Sequence, residues 1–556
     1  MANKSIKSIF LFLSIISANE KRKLAFLSVF FSISSAVEII AIVLIIPLFS
    51  SFTDTSTNIF PALEMFFVKV DNFFGIDDII ITKVLAVFLV IFTKNIFQIW
   101  VQLQVSKFGY KIEDSITKRV LNFSFNMVLS TQNEQTSSTL IKNCTNDSHR
   151  LNLFFVNPLL VIVSDIILLS SIVIFLLIFN PLITFLAGLI IGIIVISFHL
   201  FAGKYIYVWG ENLTEKEGEK IDIIQQIFYN LTQIQLGSKV KFFMKKFNDI
   251  NSVFIKNSYY QHSLQNITKN IYEIILFLGL ILLLVIPTDG SKIILIGTFA
   301  LAVYKLLPSL NRITSNYQSI QFSIPSLENL SRVIMFDAEK DKIEKIDFQN
   351  LEFKLVSFKY QNPETQVINK ISFKIEKGDF IGITGESGSG KSTLLSLIMG
   401  LDKPSSGKIV VNNKQDSPKK IKYGYVPQKI HLINESIKRN IAFGIKESEI
   451  SIDRLNSAIR FSELEDLISN LEDGVETIVG DSGSKLSGGQ VQRIGIARAL
   501  YDNPDILVFD ESTNSLDKKT ETKIIKTITN LSNELTIIFV THNHLNIKGS
   551  NKILEI

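Results

Sequence analysis

The feature that most constrains the fold is a set of long apolar segments confined to the first three-fifths of the chain. A helix needs about 20 apolar residues to cross the roughly 30 Å hydrocarbon core of a bilayer. Six segments qualify, at 24–50, 79–104, 153–179, 182–203, 271–287 and 293–313. Because backbone polar groups in lipid must be satisfied within the protein, continuous apolar runs of this length are predicted as helices. The sequence therefore predicts six membrane-spanning helices followed by a soluble part.

Charged residues beside these segments predict the orientation of the chain. Basic residues flank the first segment and fill the long polar stretches after the second and fourth: Lys21, Arg22, Lys23, Lys107, Lys111, Lys118, Arg119, Lys239, Lys241, Lys245 and Lys246. The opposite loops carry Asp54, Asp71, Asp77, Asp78 and Asp289. Because basic residues favour the cytoplasmic side, both termini and both long polar stretches are expected in the cytoplasm.

The overall composition excludes several classes of protein. A net charge of +5 over 556 residues is modest and carries no nucleic-acid signal, since membrane topology explains the placement of the lysines better. The single cysteine, Cys144, excludes an internal disulfide framework and a cysteine-based zinc site. No cleavable signal peptide is expected, because the first apolar run is too long. The aromatic-rich segment 57–76 fits either an amphipathic helix on the outer leaflet or an ordinary loop.

Charged side chains inside the apolar segments or at their start form a second constraint. They are Glu38, Lys94, Asp165, Lys269, Glu273, Lys305 and Arg312. A charge in lipid is costly, so Glu38 and Asp165 indicate either a transport pathway or simple pairing with basic neighbours. Lys305 and Arg312 are seven residues apart and share one face of the sixth segment, with Pro308 between them to bend the helix. They suit either a basic inner cavity for an anionic substrate, such as a diphosphate, or snorkelling to the headgroups.

A phosphate-binding loop follows the buried strand predicted at 380–384 and precedes a helix. The loop consists of Gly385, Glu386, Ser387, Gly388, Ser389, Gly390, Lys391, Ser392 and Thr393. Its glycines let backbone N–H groups and the helix N-terminus face the phosphates. Lys391 is expected to balance the outer phosphate charge, and Ser392 to offer its hydroxyl to Mg²⁺. The strand, loop and helix together predict a nucleotide-binding site.

A second buried strand at 506–510 ends in two carboxylates. Asp510 is expected to hold Mg²⁺ through water, and Glu511 to polarise the attacking water. A hydrophobic strand ending in Asp-Glu is commonplace, but this one directly follows the sequence Leu-Ser-Gly-Gly-Gln at 486–490. Its position directly after this motif makes the Asp-Glu pair a specific signal rather than a commonplace one.

These motifs resemble the nucleotide-binding domain of ATP-binding-cassette (ABC) proteins over the whole of 351–556, and six spans with two long cytoplasmic excursions resemble the exporter type. The resemblance implies that Tyr360 stacks on adenine and that Gln428 reaches Mg²⁺. It implies that Ser487, Gly488, Gly489 and Gln490 bind the nucleotide of the opposite subunit, Ser487 and Gly489 at its γ-phosphate. It further implies that Asp517 lies at the dimer interface and that His542 contacts the γ-phosphate, beside the catalytic Glu511 and Lys391.

The resemblance defines the predicted organisation. A six-helix transmembrane domain with long cytoplasmic helical extensions occupies 1–337, a linker 338–350, and an α/β P-loop NTPase domain 351–556. The excursion tips near 136–150 and 223–240 are implied to touch the ATPase. Because the Leu-Ser-Gly-Gly-Gln motif acts on the opposite subunit, one such domain per chain implies a homodimer, with a heterodimer left open. The expected protein is a bacterial inner-membrane translocase that uses ATP and Mg²⁺.

The cargo is predicted from a narrower resemblance. Residues 302–313, with Lys305, Pro308 and Arg312, resemble the sixth span of bacterial lipid-linked oligosaccharide flippases. In that family basic residues receive the diphosphate of a polyprenyl-linked glycan, which implies this role for Lys305 and Arg312, and more loosely for Lys94 and Lys269. A peptide, toxin or drug exporter is the alternative. A nucleotide-gated channel or regulator would predict a damaged Glu511 or Leu-Ser-Gly-Gly-Gln motif, and both are intact.

Overall fold

A computed structural model describes most of the chain. The described residues are 2–50, 79–127, 136–179, 181–285, 292–335, 345–361, 364–386, 388–414, 417–511, 521–526, 535–541 and 549–556. The helices before residue 336 form one compact unit, and the residues from 345 onward form a second. The segment 57–76 and most of the predicted linker 338–350 lie outside the described residues.

The first unit is built from helices alone among its described residues. They are α1 (Ala2–Ile15), α2 (Ala18–Ser50), α3 (Ile79–Asn126), α4 (Ser137–Lys142), α5 (Ser148–Leu151), α6 (Asn157–Phe179), α7 (Pro181–Tyr229), α8 (Leu231–Leu236), α9 (Val240–Val285) and α10 (Lys292–Met335). Two π-helical turns, Asn143–Asp147 and Asn152–Val156, join α4 to α5 and α5 to α6. At 49 residues, α7 is about 73 Å long, so it extends well beyond the thickness of a bilayer.

Three helical segments of the described residues are long and apolar enough to cross a membrane: Lys83–Asn126, Ser137–Ile178 and Pro181–Tyr229. They overlap the predicted second, third and fourth spans. At the other three predicted positions the chain is helical in α2, α9 and α10, but the count of six spans is not confirmed.

A buried charged cluster connects four helices at the predicted first excursion tip. Arg150 donates from Nη2 to Glu217 Oε2 at 2.6 Å and from Nη1 to Ser326 Oγ at 3.2 Å. Lys142 lies 3.3 Å from Asp147, whose side chain is fully buried. Buried charges of opposite sign are tolerated when they are paired and hydrogen-bonded, so this cluster fixes how α4, α5, α7 and α10 pack.

The second unit contains two sheets. Its strands are β1 (Asn350–Gln361), β2 (Glu364–Glu376), β3 (Phe380–Thr384), β4 (Ser406–Val411), β5 (Tyr423–Val426), β6 (Ile506–Asp510), β7 (Thr536–Val540) and β8 (Lys552–Glu555). An antiparallel sheet has the order β2-β1-β4, and a parallel sheet has the order β5-β6-β7-β3-β8. The helices of this unit include α11 (Lys391–Ile398), α12 (Ile437–Ile441), α13 (Ile452–Phe461), α14 (Glu465–Ser469) and α15 (Gly488–Tyr501).

The central strands of the parallel sheet are continuous apolar runs because both of their faces are covered. Every residue of β3 and β7 is buried, and so are the first four of β6. Such runs are typical of parallel sheets packed between layers. Since the carboxyl ends of parallel strands meet at one edge, the loop after β3 and the carboxylates at the end of β6 are brought to the same side of the sheet.

Candidate ATP-binding site

The phosphate loop occupies its predicted place between β3 and α11. Helix α11 begins at Lys391, and Gly390 caps it in a left-handed conformation with φ of 103°. A Cβ at Gly390 would lie 2.6 Å from Cγ1 of Val367, so only glycine fits there. Within the loop, Ser389 Oγ is buried and has no hydrogen-bond partner among the described residues. An orphaned hydroxyl at a helix N-terminus fits a bound phosphate, which would supply the missing acceptor.

Lys391 is folded over the loop that contains it. Its ammonium donates to the carbonyl oxygens of Gly385 at 3.0 Å and Glu386 at 2.8 Å. The same ammonium lies 3.9 Å from Glu511 Oε1, and the side chain is only 6% exposed. The loop lysine and the carboxylate predicted to be catalytic therefore share one site, although they are far apart in sequence.

The two carboxylates after β6 are each held by a residue of the segment 423–428. Tyr425 Oη donates to Asp510 Oδ2 at 3.1 Å, and Gln428 Nε2 donates to Glu511 Oε2 at 3.0 Å. Burial raises the pKa of Asp510 above its usual value; the neighbouring Glu511 carboxylate raises it further, and the Tyr425 hydrogen bond opposes the rise. Two adjacent carboxylates in a partly buried position favour the binding of a cation, which would lie between the carboxylates and a bound phosphate.

Glu511 has an unusual backbone that fixes its position. Its φ of 47° lies in the left-handed region, which costs free energy for a residue with a side chain. Its amide N–H donates to the carbonyl oxygen of Val540, the last residue of β7, at 3.1 Å. This bond ties the turn after β6 to the neighbouring strand, so the Glu511 carboxylate is held beside Lys391 and Gln428.

The donor set fits Mg²⁺ only together with a nucleotide. Among the residues that the structure describes, no group of three or more His, Cys, Asp or Glu side chains could hold a metal ion. Asp510 and the exposed Ser392 hydroxyl supply oxygen ligands near the loop. Because Mg²⁺ is usually bound by one or two carboxylates, waters and substrate phosphates, these residues fit an ion that arrives with ATP.

Tyr360 lies at the end of β1 beside the phosphate-loop helix. Its hydroxyl is 3.0 Å from Thr393 Oγ1, and its ring meets the edge of Phe358 at a centroid distance of 5.1 Å. The side chain is half-buried, so part of the ring surface faces outward. Its role in stacking on adenine stays a prediction.

The Leu-Ser-Gly-Gly-Gln motif forms the start of α15. Ser487 is the N-cap, and its Oγ accepts from the Gln490 amide while Gln490 Oε1 accepts from the Ser487 amide at 2.8 Å, a reciprocal capping box. Gly488 and Gly489 begin the helix, and Ser487 and Gly488 are exposed. The N-terminus of a 14-residue helix presents backbone N–H groups and a positive dipole end, which suit an anion.

Three of the predicted site residues lie outside the described part of the chain. They are Ser387 in the phosphate loop, Asp517 and His542. Their predicted roles stay predictions. Conversely, Tyr425 was not predicted as a site residue, although its place on the strand before Gln428 was available in the sequence.

The four basic residues predicted for substrate lie on three helices of the first unit. Lys94 is buried on α3, Lys269 is exposed on α9, and Lys305 and Arg312 are on α10. Arg312 forms a bidentate salt bridge with Asp165 of α6. Its Nε lies 2.9 Å from Oδ2, and its Nη2 lies 2.6 Å from Oδ1. The pairing expected as one of two interpretations of Asp165 is therefore observed. The Arg312 side chain is still 50% exposed, whereas that of Asp165 is 4% exposed.

Comparisons with known proteins show what the chain is similar to. Residues 368–514 match the family model described as ABC transporter. The chain is 34% identical over 302 residues to the alpha-hemolysin translocation ATP-binding protein HlyB of Escherichia coli O157:H7, covering 53% of this chain and 42% of that protein. It is 31% identical over 300 residues to the ATP-dependent lipid A-core flippase of Coxiella burnetii, covering 52% and 51%. The matches thus span about half the length of these curated relatives or less.

The fold is shared with a solved structure over nearly the whole chain. A bacterial Atm1-family ABC exporter with ATP bound superposes with a TM-score of 0.77 at 20% sequence identity, covering 97% of this chain and 94% of that chain. The helical unit followed by the α/β unit therefore has the architecture of that exporter, as the sequence predicted.

Proposed function

We propose that this chain, which is an ABC transporter with the exporter fold, hydrolyses ATP to move an amphipathic anionic substrate across the bacterial inner membrane. The substrate class proposed is a polyprenyl diphosphate-linked oligosaccharide. The working unit proposed is a homodimer with its ATPase domains and termini in the cytoplasm. The ATP half is supported by the assembly of Lys391, Gln428, Asp510 and Glu511 around the phosphate loop.

The proposed hydrolysis assigns each of these side chains a step. Lys391 balances the charge of the outer phosphate, and the loop amides orient it. Glu511, held by Gln428, accepts a hydrogen bond from the attacking water and polarises it. Mg²⁺, held by Asp510 and Ser392 with the nucleotide phosphates, would neutralise phosphate charge.

The proposed dimer follows from the exposed motif at the start of α15. Ser487 bonds to Gln490 within its own cap and faces outward. A helix N-terminus with two glycines gives a second chain close access to its backbone N–H groups. We therefore infer that each ATP is bound between the phosphate loop of one chain and the Leu-Ser-Gly-Gly-Gln motif of the other. Only the closed dimer would then complete the ATP site. ATP would therefore bind the closed dimer more tightly than the open one and shift the equilibrium between them towards closure.

The proposal of an anionic cargo rests on one observation. The Arg312 side chain is half-exposed, whereas its partner Asp165 is buried. Arginine presents five N–H donors in a planar fork that matches phosphate oxygens. Lys305, seven residues earlier on α10, lies on the same helical face and adds positive charge. Together the two residues supply N–H donors that suit the oxygens of a diphosphate.

The Arg312–Asp165 pair also favours a second candidate function, a polypeptide exporter. Asp165 offsets the charge of Arg312, which weakens the argument for an anion site, and a toxin-translocation protein is among the relatives at 34% identity. A substrate recognised mainly by apolar contacts would then be expected.

The test is ATP-dependent flipping of a polyprenyl diphosphate oligosaccharide in proteoliposomes. The parent is compared with Glu511→Gln and with Lys305→Ala/Arg312→Gln. We expect Glu511→Gln to lose both ATPase and flipping, and the double variant to lose flipping while it keeps ATPase activity.

A matched control separates charge from folding. Arg312→Gln alone leaves a buried carboxylate without its cation, whereas Asp165→Asn/Arg312→Gln removes both charges. If flipping is lost in the paired variant as well, the guanidinium and not the stability of α10 is responsible. A parent that hydrolyses ATP but flips no glycolipid would contradict the cargo and favour the polypeptide exporter.

A further inference from the structure

The segment from β5 to Gln428 contacts both carboxylates of the ATP site, and only Gln428 has a predicted role there. Tyr425 and Gln428 each donate one hydrogen bond, to Asp510 and Glu511 respectively. Tyr425 therefore calls for a separate explanation.

The strand register explains how Tyr425 reaches Asp510. In the parallel pairing of β5 with β6, Tyr425 stands opposite Val508. Asp510 is two residues further along β6, so it lies on the same face of the sheet as Val508. Side chains in strands lean along the strand direction, and a tyrosine is long enough to span the offset. The resulting Oη to Oδ2 distance is 3.1 Å.

The hydrogen bond from Tyr425 orients the Asp510 carboxylate, which could otherwise rotate about its Cβ–Cγ bond. Among the residues that the structure describes, Tyr425 is the hydrogen-bond donor to Asp510. A donor on one oxygen fixes the plane of the carboxylate and the direction of the second oxygen. Because the donor is a neutral hydroxyl, it leaves the negative charge intact, whereas a lysine or arginine there would repel a cation.

Packing does not account for Tyr425. Its side chain is 39% exposed, so it contributes little to the core. Tyr423, two residues earlier on the same strand, shows the contrast. It packs against the main hydrophobic cluster, and its hydroxyl donates to the carbonyl oxygen of Ile398 at 2.6 Å. Tyr423 is thus explained by the fold, and Tyr425 is explained by its contact with Asp510.

We propose that Tyr425 is a positioning residue that orients the Asp510 carboxylate and thereby sets the affinity of the ATP site for Mg²⁺. The proposal rests on the proposed function in one respect, namely that the chain binds ATP with Mg²⁺. It assigns the segment 425–428 a role at both carboxylates, at the metal through Tyr425 and at the attacking water through Gln428.

The test measures Mg²⁺-dependent nucleotide binding by the full-length chain in detergent or nanodiscs. A fluorescent, non-hydrolysable ATP analogue is held at a fixed concentration while Mg²⁺ is titrated. We expect Tyr425→Phe to raise the Mg²⁺ concentration for half-maximal binding by about three- to tenfold, since the Asp510 carboxylate is then no longer oriented before the ion binds. Binding of the analogue in EDTA should not change.

Tyr423→Phe is the matched control, because it removes a hydroxyl from the same strand without touching Asp510. It should lower the melting temperature and leave the Mg²⁺ titration unchanged. Equal Mg²⁺ titrations for the parent and Tyr425→Phe would overturn the positioning role. A parent that binds no nucleotide would overturn both this inference and the proposed function, whereas normal parental binding with an unaffected variant overturns the inference alone.

Discussion

At the scale of single residues, the ATP site contains partly buried carboxylates whose ionisation lowers the stability of the fold. Asp510 is partly buried beside Glu511, and its pKa is raised above the usual carboxyl value. A carboxyl whose pKa is raised in the folded state contributes stability below its unfolded pKa and loses that contribution as the pH rises through the folded pKa. At neutral pH, therefore, ionised Asp510 lowers the free energy of unfolding, while it supplies a group that can bind a cation.

We predict that Asp510→Asn raises the free energy of unfolding by about 1 kcal/mol at pH 7.5 in the absence of nucleotide and Mg²⁺. The amide has nearly the same shape, stays neutral and still accepts from Tyr425. The gain should shrink as the pH falls toward the ordinary carboxyl pKa, because Asp510 then becomes neutral as well.

Thermal unfolding of the parent and Asp510→Asn in EDTA, at neutral and acidic pH, checks this prediction. ATPase activity should be lost in the variant at both pH values. A lower melting temperature for Asp510→Asn at neutral pH would show that the carboxylate is stabilising in the fold.

At the scale of elements, helix α15 combines a structural cap with a candidate binding surface. Its capping box uses both the Ser487 hydroxyl and the Gln490 amide side chain. The same hydroxyl is predicted to meet the γ-phosphate of the opposite chain. These two roles require different properties, since aspartate can replace serine as a cap but not as a neighbour of phosphate.

We predict that Ser487→Ala lowers the free energy of unfolding by about 1 kcal/mol, whereas Ser487→Asp leaves it nearly unchanged. Both variants should lose ATPase activity, Ser487→Asp more severely because its carboxylate would face phosphate. Thermal unfolding and ATPase assays on both variants separate the roles. Full ATPase activity in Ser487→Asp would mean that Ser487 serves the helix alone.

The helical elements show where element boundaries depend on tertiary contacts. The buried cluster of Arg150, Glu217 and Ser326 lies between two π-helical turns and helices α7 and α10. Arg150 and Glu217 are 67 residues apart in sequence. Nothing in the local pattern around either residue indicates the other, so the cluster was not predicted.

At the scale of the whole molecule, each chain has one phosphate loop and one Leu-Ser-Gly-Gly-Gln motif. If a complete ATP site needs one of each from different chains, two different inactive chains can form one working site. A site contained within a single chain could not be restored in this way. Mixing therefore distinguishes the two arrangements.

We predict that Lys391→Ala chains and Ser487→Arg chains are each inactive and that their mixture regains ATPase activity. In a mixed dimer the intact phosphate loop of one chain meets the intact motif of the other. With independent sites, one of the two sites in a purified mixed dimer is intact, so its rate should approach about half of the parental rate. Co-expression with two affinity tags, tandem purification and an ATPase assay provide the measurement. Mixed dimers without activity would contradict the shared site.

Local patterns determined much of this protein. The lengths of the apolar runs predicted the helical first unit, and the order of strand, glycine-rich loop and helix predicted the ATP site, because each depends on residues adjacent in sequence. Only the tertiary structure decided the partners. Arg312 meets Asp165 across 147 residues, and Tyr425 meets Asp510 across 85. Such pairs depend on the rotation of packed helices and on strand register, and neither is encoded by the neighbours of a single residue.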